Sequence, residues 1–92
     1  MTERFKRTLF GGGAKSTDGY QVRFNNRSSI EYRDASGVVL VGAEGLATRG
    51  FAFYPEQMSV GSGAPPIDDP GFRALVIARV RKVSDFLGTP LE

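Results

Sequence analysis

The segment DDPGFRALVIARVRKVSDFLG, residues 68–88, carries a helix start signal, an apolar stripe and a helix stop signal in that order. Asp69 can accept hydrogen bonds from the first backbone N–H groups of a helix, and Pro70 suits the first helical position, where no N–H is needed. Gly88 can take the left-handed conformation that ends a helix. The apolar residues that recur at the helical period are Phe72, Leu75, Val76, Val80, Val83 and Leu87. The sequence therefore predicts one amphipathic helix from Pro70 to Leu87.

The segment that precedes this helix alternates between apolar and polar residues, as half-buried strands do. Tyr20, Val22 and Phe24 occupy one side of a predicted strand, with polar residues between them. After a short turn, Ile30 and Tyr32 continue the alternation. Two neighbouring strands are therefore predicted, with these side chains pointing towards the core.

Two further strands are predicted before the connector that leads to the helix. The run DASG at 34–37 favours a tight turn into a strand at 38–41, because Asp can bond its own backbone and Gly accepts a positive φ. The glycine-rich run at 42–45 predicts a bend or bulge, and 50–54 is typical of a fourth strand that Pro55 ends. We therefore expect an α+β fold in which an antiparallel four-stranded meander packs one face against the C-terminal amphipathic helix.

The chain of 92 residues predicts one folded domain preceded by a flexible segment. Residues 1–19 are basic and rich in glycine, so ordering them costs entropy with few apolar groups to offset the cost. The alternating and helical patterns lie in residues 20–92, which we take as the single α+β domain. Removal of residues 1–15 is accordingly expected to change stability little.

The composition limits the chemistry that the chain can perform. The chain contains neither Cys nor His, which removes disulfides, thiolate metal sites and the commonest general base. The acidic residues Glu44, Glu56, Asp68 and Asp69 do not form a recognised carboxylate site, and the last two suit a helix N-terminus. No run approaches the roughly 18 apolar residues of a membrane span, and the first ten residues lack a secretory signal. We expect a cytoplasmic protein that is not an enzyme, with no cofactor, metal or membrane contact.

The run GGGAKST at 11–17 partly matches a phosphate-binding P-loop. That motif requires Gly directly before the Lys, so that backbone N–H groups can surround the phosphates. Ala14 occupies the required position, and no apolar core strand precedes the run. We interpret it as a glycine-rich segment.

Basic residues are concentrated in two places, although twelve Lys and Arg against ten Asp and Glu give a net charge of only +2. One group is the N-terminal set Arg4, Lys6, Arg7 and Lys15. The second is a candidate basic surface on the helix, made by Arg73, Arg79, Arg81 and Lys82. These groups either contact the phosphates of a nucleic acid or form the solvated face that any soluble helix keeps.

A candidate protein interface follows the fourth predicted strand. Phe53 cannot share a face of that strand with Tyr54, and we expect Tyr54, Pro55 and Met58 to be exposed. The candidate interface residues are Phe53, Tyr54, Pro55, Met58, Pro65 and Pro66. An apolar anchor surrounded by charge is typical of a protein interface, but the same residues can also simply cover the core.

A longer pattern extends over residues 27–88. It consists of Ile30, Glu31, Tyr32, Arg33, Asp34, Gly37, Val41, Gly42, Glu44, Leu46, Gly50, Phe51, Phe53, Tyr54, Pro65, Pro66, Phe72, Arg73, Val76, Ile77, Val80 and 86–88. The pattern resembles the immunity protein 74 family of bacterial polymorphic toxin systems. The resemblance implies a small non-enzymatic protein that neutralises a cognate toxin by stoichiometric binding.

Two other functions fit the residues. One is a nucleic-acid-associated accessory domain that uses the basic N-terminus and the basic face of the helix. The other is a homodimeric domain of unknown role that pairs through an open sheet edge, which a meander of short strands leaves available.

Overall fold

The computed structural model describes residues 3–8, 12–24, 29–45, 50–60, 67–89 and 91. Along the chain its elements are β1 (Phe5–Arg7), β2 (Gly13–Ser16), β3 (Gln21–Arg23), β4 (Ser29–Asp34), β5 (Gly37–Gly45), β6 (Phe51–Ser59) and α1 (Pro70–Leu87). The strands lie side by side in chain order, and each pairs antiparallel with the next. Over the described ranges the protein is thus an α+β fold, with one antiparallel sheet and one C-terminal helix.

The helix has the bounds and the caps that the sequence predicts. Asp69 Oδ1 accepts hydrogen bonds from the N–H groups of Gly71 at 3.0 Å and Phe72 at 3.3 Å. Gly88 ends the helix in the left-handed conformation, with φ of 69°. Local backbone chemistry therefore defines both ends of α1.

The predicted hairpin between β4 and β5 is also confirmed. Asp34 lies opposite Gly37 in the register, and Gly37 has a φ of 138°. Asp34 Oδ1 accepts hydrogen bonds from the backbone N–H of Ser36 at 2.8 Å and from its hydroxyl. The turn is closed by the residue types that its sequence suggested.

The predicted count of four strands is too small, because residues 1–19 contribute two more. In β1 and β2 Phe5 lies opposite Ser16, and Ala14 of β2 lies opposite Val22 of β3, where both side chains are completely buried. Gly13 approaches β3 so closely that a Cβ would lie 2.6 Å from the carbonyl oxygen of Val22. Glycine thus permits strand pairing here, although its entropy had suggested flexibility. Leu9, Phe10 and Gly11 lie outside the described residues.

Both strands of the β5–β6 pair are longer than predicted. Gly42–Gly45 continues β5, and β6 continues through Pro55 to Ser59. The run 42–45, predicted to interrupt the strand, instead continues it, although a register shift lies at its start: Val41 lies opposite Met58, whereas Gly42 lies opposite Tyr54. The residues between Tyr54 and Met58 are extra on β6, an edge strand, where a proline is tolerated.

The core lies between the sheet and α1. The helix contributes Val76, Val80 and Val83, which are completely buried. The sheet contributes Ala14, Tyr20, Val22, Ile30, Tyr32, Val39, Val41, Ala43, Phe53 and Met58. The predicted inward positions Tyr20, Val22, Ile30 and Tyr32 are therefore confirmed, while Phe24 is half-buried against the core. Leu75, predicted in the helix stripe, is 41% exposed, and Ser84 is buried.

The sheet curls around the helix. Phe24, just after β3, stacks on Phe51 at the start of β6, with ring centroids 5.3 Å apart. The helix contacts β1, β2, β3 and β6, so it lies on the concave side. Among the described residues, no helix is long and apolar enough to cross a lipid bilayer.

Candidate functional site

The candidate interface on β6 is not assembled as expected. Phe53 is 6% exposed and Met58 is completely buried, so both belong to the core. The expectation that Met58 is exposed was wrong because β6 continues beyond Pro55 and the extra residues return Met58 to the inward face. Tyr54 is half-buried, and its hydroxyl donates to Glu44 Oε2 at 3.0 Å. The side chain of Pro55 and the residues Pro65 and Pro66 lie outside the described part.

The four basic residues of the helix do not form one solvated surface. Arg79 is half-buried, its Nη1 donates to the hydroxyl of Tyr32 at 2.7 Å, and its guanidinium lies 4.5 Å from the ring centroid of Tyr20. Lys82 Nζ lies 3.1 Å from Glu3 Oε1. These two side chains therefore connect α1 to the sheet and to the N-terminal segment. The half-buried position of Arg79 corrects its assignment to an open basic face, whereas Lys82 is exposed, as expected.

Arg73 and Arg81 occupy different surroundings on the same helix. Arg73 is half-buried, whereas Arg81 is exposed. The guanidinium of Arg81 lies 5.6 Å from the ring centroid of Phe53, in cation–π range. Of these four basic residues, Arg81 is exposed and forms no salt bridge with any residue of the described ranges.

Glu3 is the centre of a polar cluster that fastens the N-terminal segment. Its Oε2 accepts hydrogen bonds from the hydroxyls of Ser16 and Tyr20, both at 2.5 Å, while Lys82 bonds the other oxygen. The bonds from Ser16, Tyr20 and Lys82 lower the pKa of Glu3 from 4.5 to about 2 against the opposing effect of burial. Burial, helped by the bond to Glu3, raises the pKa of Tyr20.

A second polar cluster joins the helix to the β4–β5 hairpin. Tyr32 accepts the hydrogen bond from Arg79 and donates to Asp34 Oδ2 at 2.6 Å. Burial raises the pKa of Tyr32, aided by its bond to Asp34. Burial also acts to raise the pKa of Asp34, but hydrogen bonds from Ser36 and Tyr32 lower it overall. The titratable groups with shifted pKa values in these two clusters thus contact one another and hold the elements together.

Acid is expected to weaken the fold through Glu3. Because its folded-state pKa lies below its usual 4.5, its contribution to stability is complete above pH 4.5 and is lost as the pH falls towards 2. Glu3→Gln should lower the free energy of unfolding at pH 7 by about 1 kcal/mol, since the charge-assisted bonds are partly exposed to water. Urea unfolding at pH 7, 4.5 and 2.5 measures both effects.

The matched control for this prediction is Glu56→Gln, at an exposed position of β6. The control should lose stability on acidification as the unchanged protein does, while Glu3→Gln should show a flatter pH dependence between 4.5 and 2. Identical pH dependence in the unchanged protein and Glu3→Gln would contradict the assignment of Glu3.

The outer face of the sheet carries a row of side chains that we call the basic stripe: Lys6, Lys15, Gln21 and Arg33. Lys6 lies opposite Lys15, Lys15 opposite Gln21, and Gln21 opposite Arg33. Directly opposite residues point to the same face of a sheet, and these alternate with buried core residues. The stripe therefore faces away from the core, and its three cationic residues are exposed.

A shallow hollow of about 300 Å³ lies at the end of the sheet, next to the stripe. It is formed by the β2–β3 turn and the end of β4. Its lining residues are Lys15, Ser16, Gly19, Tyr20, Gln21, Arg33 and Asp34. Lys15 belongs to the basic N-terminal group that the sequence shows, but its neighbours in the hollow cannot be found from the sequence, because their proximity depends on the register of β2, β3 and β4.

Compared with protein-family models, curated proteins and solved structures, the chain shows no significant match to any of them. In the described ranges, no group of three or more acidic side chains is placed to hold a metal ion. The basic stripe and its hollow are the best-defined candidate for binding in the part of the chain described.

Proposed function

We propose that this chain is a non-enzymatic protein-binding domain that takes an acidic surface of its partner onto the basic stripe. The observation that carries the proposal is the direct opposition of Lys6 and Lys15 across β1 and β2. Like charges placed directly opposite each other destabilise a sheet. An acidic partner surface would relieve this repulsion, and Arg33 would extend the contact across the sheet.

The outer face of the sheet supports a protein partner better than a nucleic acid. Single-stranded nucleic acids bind to sheets by stacking their bases on outward-facing aromatic rings. The aromatic side chains Tyr20 and Tyr32 are buried, while the outward positions next to the stripe in β3 and β4 hold Arg23 and Glu31. The acidic side chain within a basic face also favours a partner with mixed surface charge over a continuous phosphate backbone.

The surroundings of α1 also favour a protein partner over a nucleic acid. A helix that reads duplex DNA must present one face to a groove. In α1 Val76, Val80 and Val83 are buried against the sheet, and Arg79 is engaged with Tyr32. Arg81 and Lys82 are both exposed, but Arg81 lies beside Phe53 and Lys82 pairs with Glu3, so the helix offers few unengaged cations for contacts with several phosphates.

The proposal agrees with the resemblance to immunity proteins. In that form, the domain binds a cognate toxin in the cytoplasm at a ratio of one to one and neutralises it without catalysis. Complementary charge would accelerate the encounter, and a desolvated contact would hold the complex.

The proposal requires a toxin gene immediately beside this one, and its absence would contradict the immunity role. The test is a titration of the purified protein against the toxin domain that such a gene encodes. Isothermal titration calorimetry should give a one-to-one complex, and Lys15→Glu should weaken it by about tenfold or more. Arg81→Glu is the matched control, since it reverses an exposed charge on the helix instead of the stripe, and should change affinity by less than about threefold. Equal effects of the two variants, or no complex, would contradict the proposal.

The same protein should be titrated against random-sequence DNA and RNA at 50 and 200 mM salt. Binding through several phosphate contacts weakens about tenfold or more between these concentrations, because bound counterions are released. Tight binding with this salt dependence would replace the protein partner by a nucleic acid.

A further inference from the structure

We infer that the hollow beside the basic stripe is an anchor site for a single carboxylate of the partner, held by Lys15, Gln21 and Arg33. The inference rests on the proposed function and adds the chemical group that the partner must present. At this position of the stripe, the partner must place a carboxylate within reach of three donors, whereas elsewhere along the stripe a negative charge anywhere nearby is enough.

The three proposed contacts converge because of the strand register. Gln21 lies between Lys15 and Arg33, directly opposite each of them. Neighbouring strands are about 4.8 Å apart, so the two cationic residues start about 10 Å apart, a gap that two long side chains and a carboxylate can span. Arg33 offers several N–H donors, Lys15 an ammonium group and Gln21 an amide.

The remaining polar groups of the hollow are already engaged. Ser16 and Tyr20 donate to Glu3, and both carboxylate oxygens of Asp34 accept hydrogen bonds within the β4–β5 hairpin. In contrast, the side chains of Lys15 and Gln21 make no hydrogen bond or ion pair with any described residue. Arg33 contacts Glu31 at 3.8 Å through one guanidinium nitrogen, and its side chain is 57% exposed, so a ligand can reach it. The hollow thus presents donors to a ligand.

The charge of the hollow favours a carboxylate over a phosphate. Among the lining residues, Lys15 and Arg33 contribute two positive charges and Asp34 one negative charge, while Glu31, paired with Arg33 just outside the hollow, offsets part of the remaining positive charge. A carboxylate carries a single negative charge, whereas a terminal phosphate group carries about −1.5 to −2 at pH 7. The limited positive charge of the hollow therefore suits a monoanion, and a phosphate would bring more negative charge close to Asp34 and Glu31.

The site can be tested by nuclear magnetic resonance with a capped tetraglutamate peptide as the probe. Its addition should shift the amide signals of Lys15, Gln21 and Arg33 most. Lys15→Gln and Arg33→Gln should each weaken binding by about fivefold. Lys6→Gln is the matched control, since Lys6 belongs to the stripe but does not line the hollow, and should weaken binding by less than about twofold. The unchanged pattern of the other amide signals verifies that each variant is folded.

Three results would overturn the inference. One is an equal loss on Lys6→Gln, which would mean diffuse attraction along the stripe. Another is equal binding of a capped tetraglutamine peptide, which has no carboxylate. The third is tighter binding of inorganic phosphate, which would indicate a phosphate-bearing ligand. A toxin complex that survives Lys15→Gln and Arg33→Gln would refute the anchor alone, while peptide binding without any toxin complex would refute the proposed function alone.

Discussion

Replacing Val80 with Asp is expected to abolish the folded domain. Val80 is completely buried, midway along the helix surface that faces the sheet. An ionised carboxylate there would have no partner, and its burial would cost several kcal/mol, a large part of the 5–15 kcal/mol that stabilises a typical domain. Far-ultraviolet circular dichroism should show loss of the cooperative unfolding transition seen in the unchanged protein.

Leu75→Asp provides the control for this experiment. Leu75 lies on the same helix but is 41% exposed, so its carboxylate can remain in water. We expect this variant to unfold cooperatively, with a midpoint close to that of the unchanged protein. If Val80→Asp also unfolded at the original midpoint, the packing of α1 against the sheet described above would be wrong.

Deleting residues 1–15 is expected to lower the Tm by more than about 10 °C. The deletion removes β1 and most of β2, and with them the buried Ala14 and the carboxylate of Glu3 that bonds Ser16, Tyr20 and Lys82. A cost of 1 kcal/mol shifts the Tm of a domain of this size by about 4–8 °C, and the lost contacts exceed that cost several times. Differential scanning calorimetry measures the change.

A shorter deletion of Met1 and Thr2 is the control, because it leaves Glu3 and both strands in place. Its Tm should stay within a few degrees of the original value. A similarly small change on deleting residues 1–15 would restore the original interpretation of a dispensable flexible segment.

The features that sequence predicted well are those determined by neighbouring residues. Asp69 and Gly88 act on backbone groups within a few positions of themselves, so their roles in capping α1 could be read directly. Asp34 and Gly37 close their hairpin in the same way. Successive side chains of a strand point to opposite faces of the sheet. The alternation of Val22, Ile30 and Tyr32 with polar residues therefore predicted which face of the sheet is buried.

The N-terminal strands could not be predicted because their stability comes from distant partners. β1 has three residues and β2 four, too few for a clear periodic pattern. β2 is held in place by its pairing with β3. The residues just before β1 are held by the contact of Glu3 with Lys82, which lies 79 positions away in the sequence. Gly13, one of the glycines that suggested flexibility, is needed for the pairing of β2 with β3, because it approaches the backbone of Val22 too closely for a Cβ.

The candidate site shows the same division. The sequence by itself determined which charges exist, and it placed Lys6 and Lys15 in one basic group and Arg79 on one helix. Only the tertiary structure decided that Lys6 lies opposite Lys15 on an outer face, whereas Arg79 turns inward to Tyr32. The physical reason is that helix caps and turns are set by bonds between near neighbours, while strand register and burial are set by contacts between residues that folding brings together.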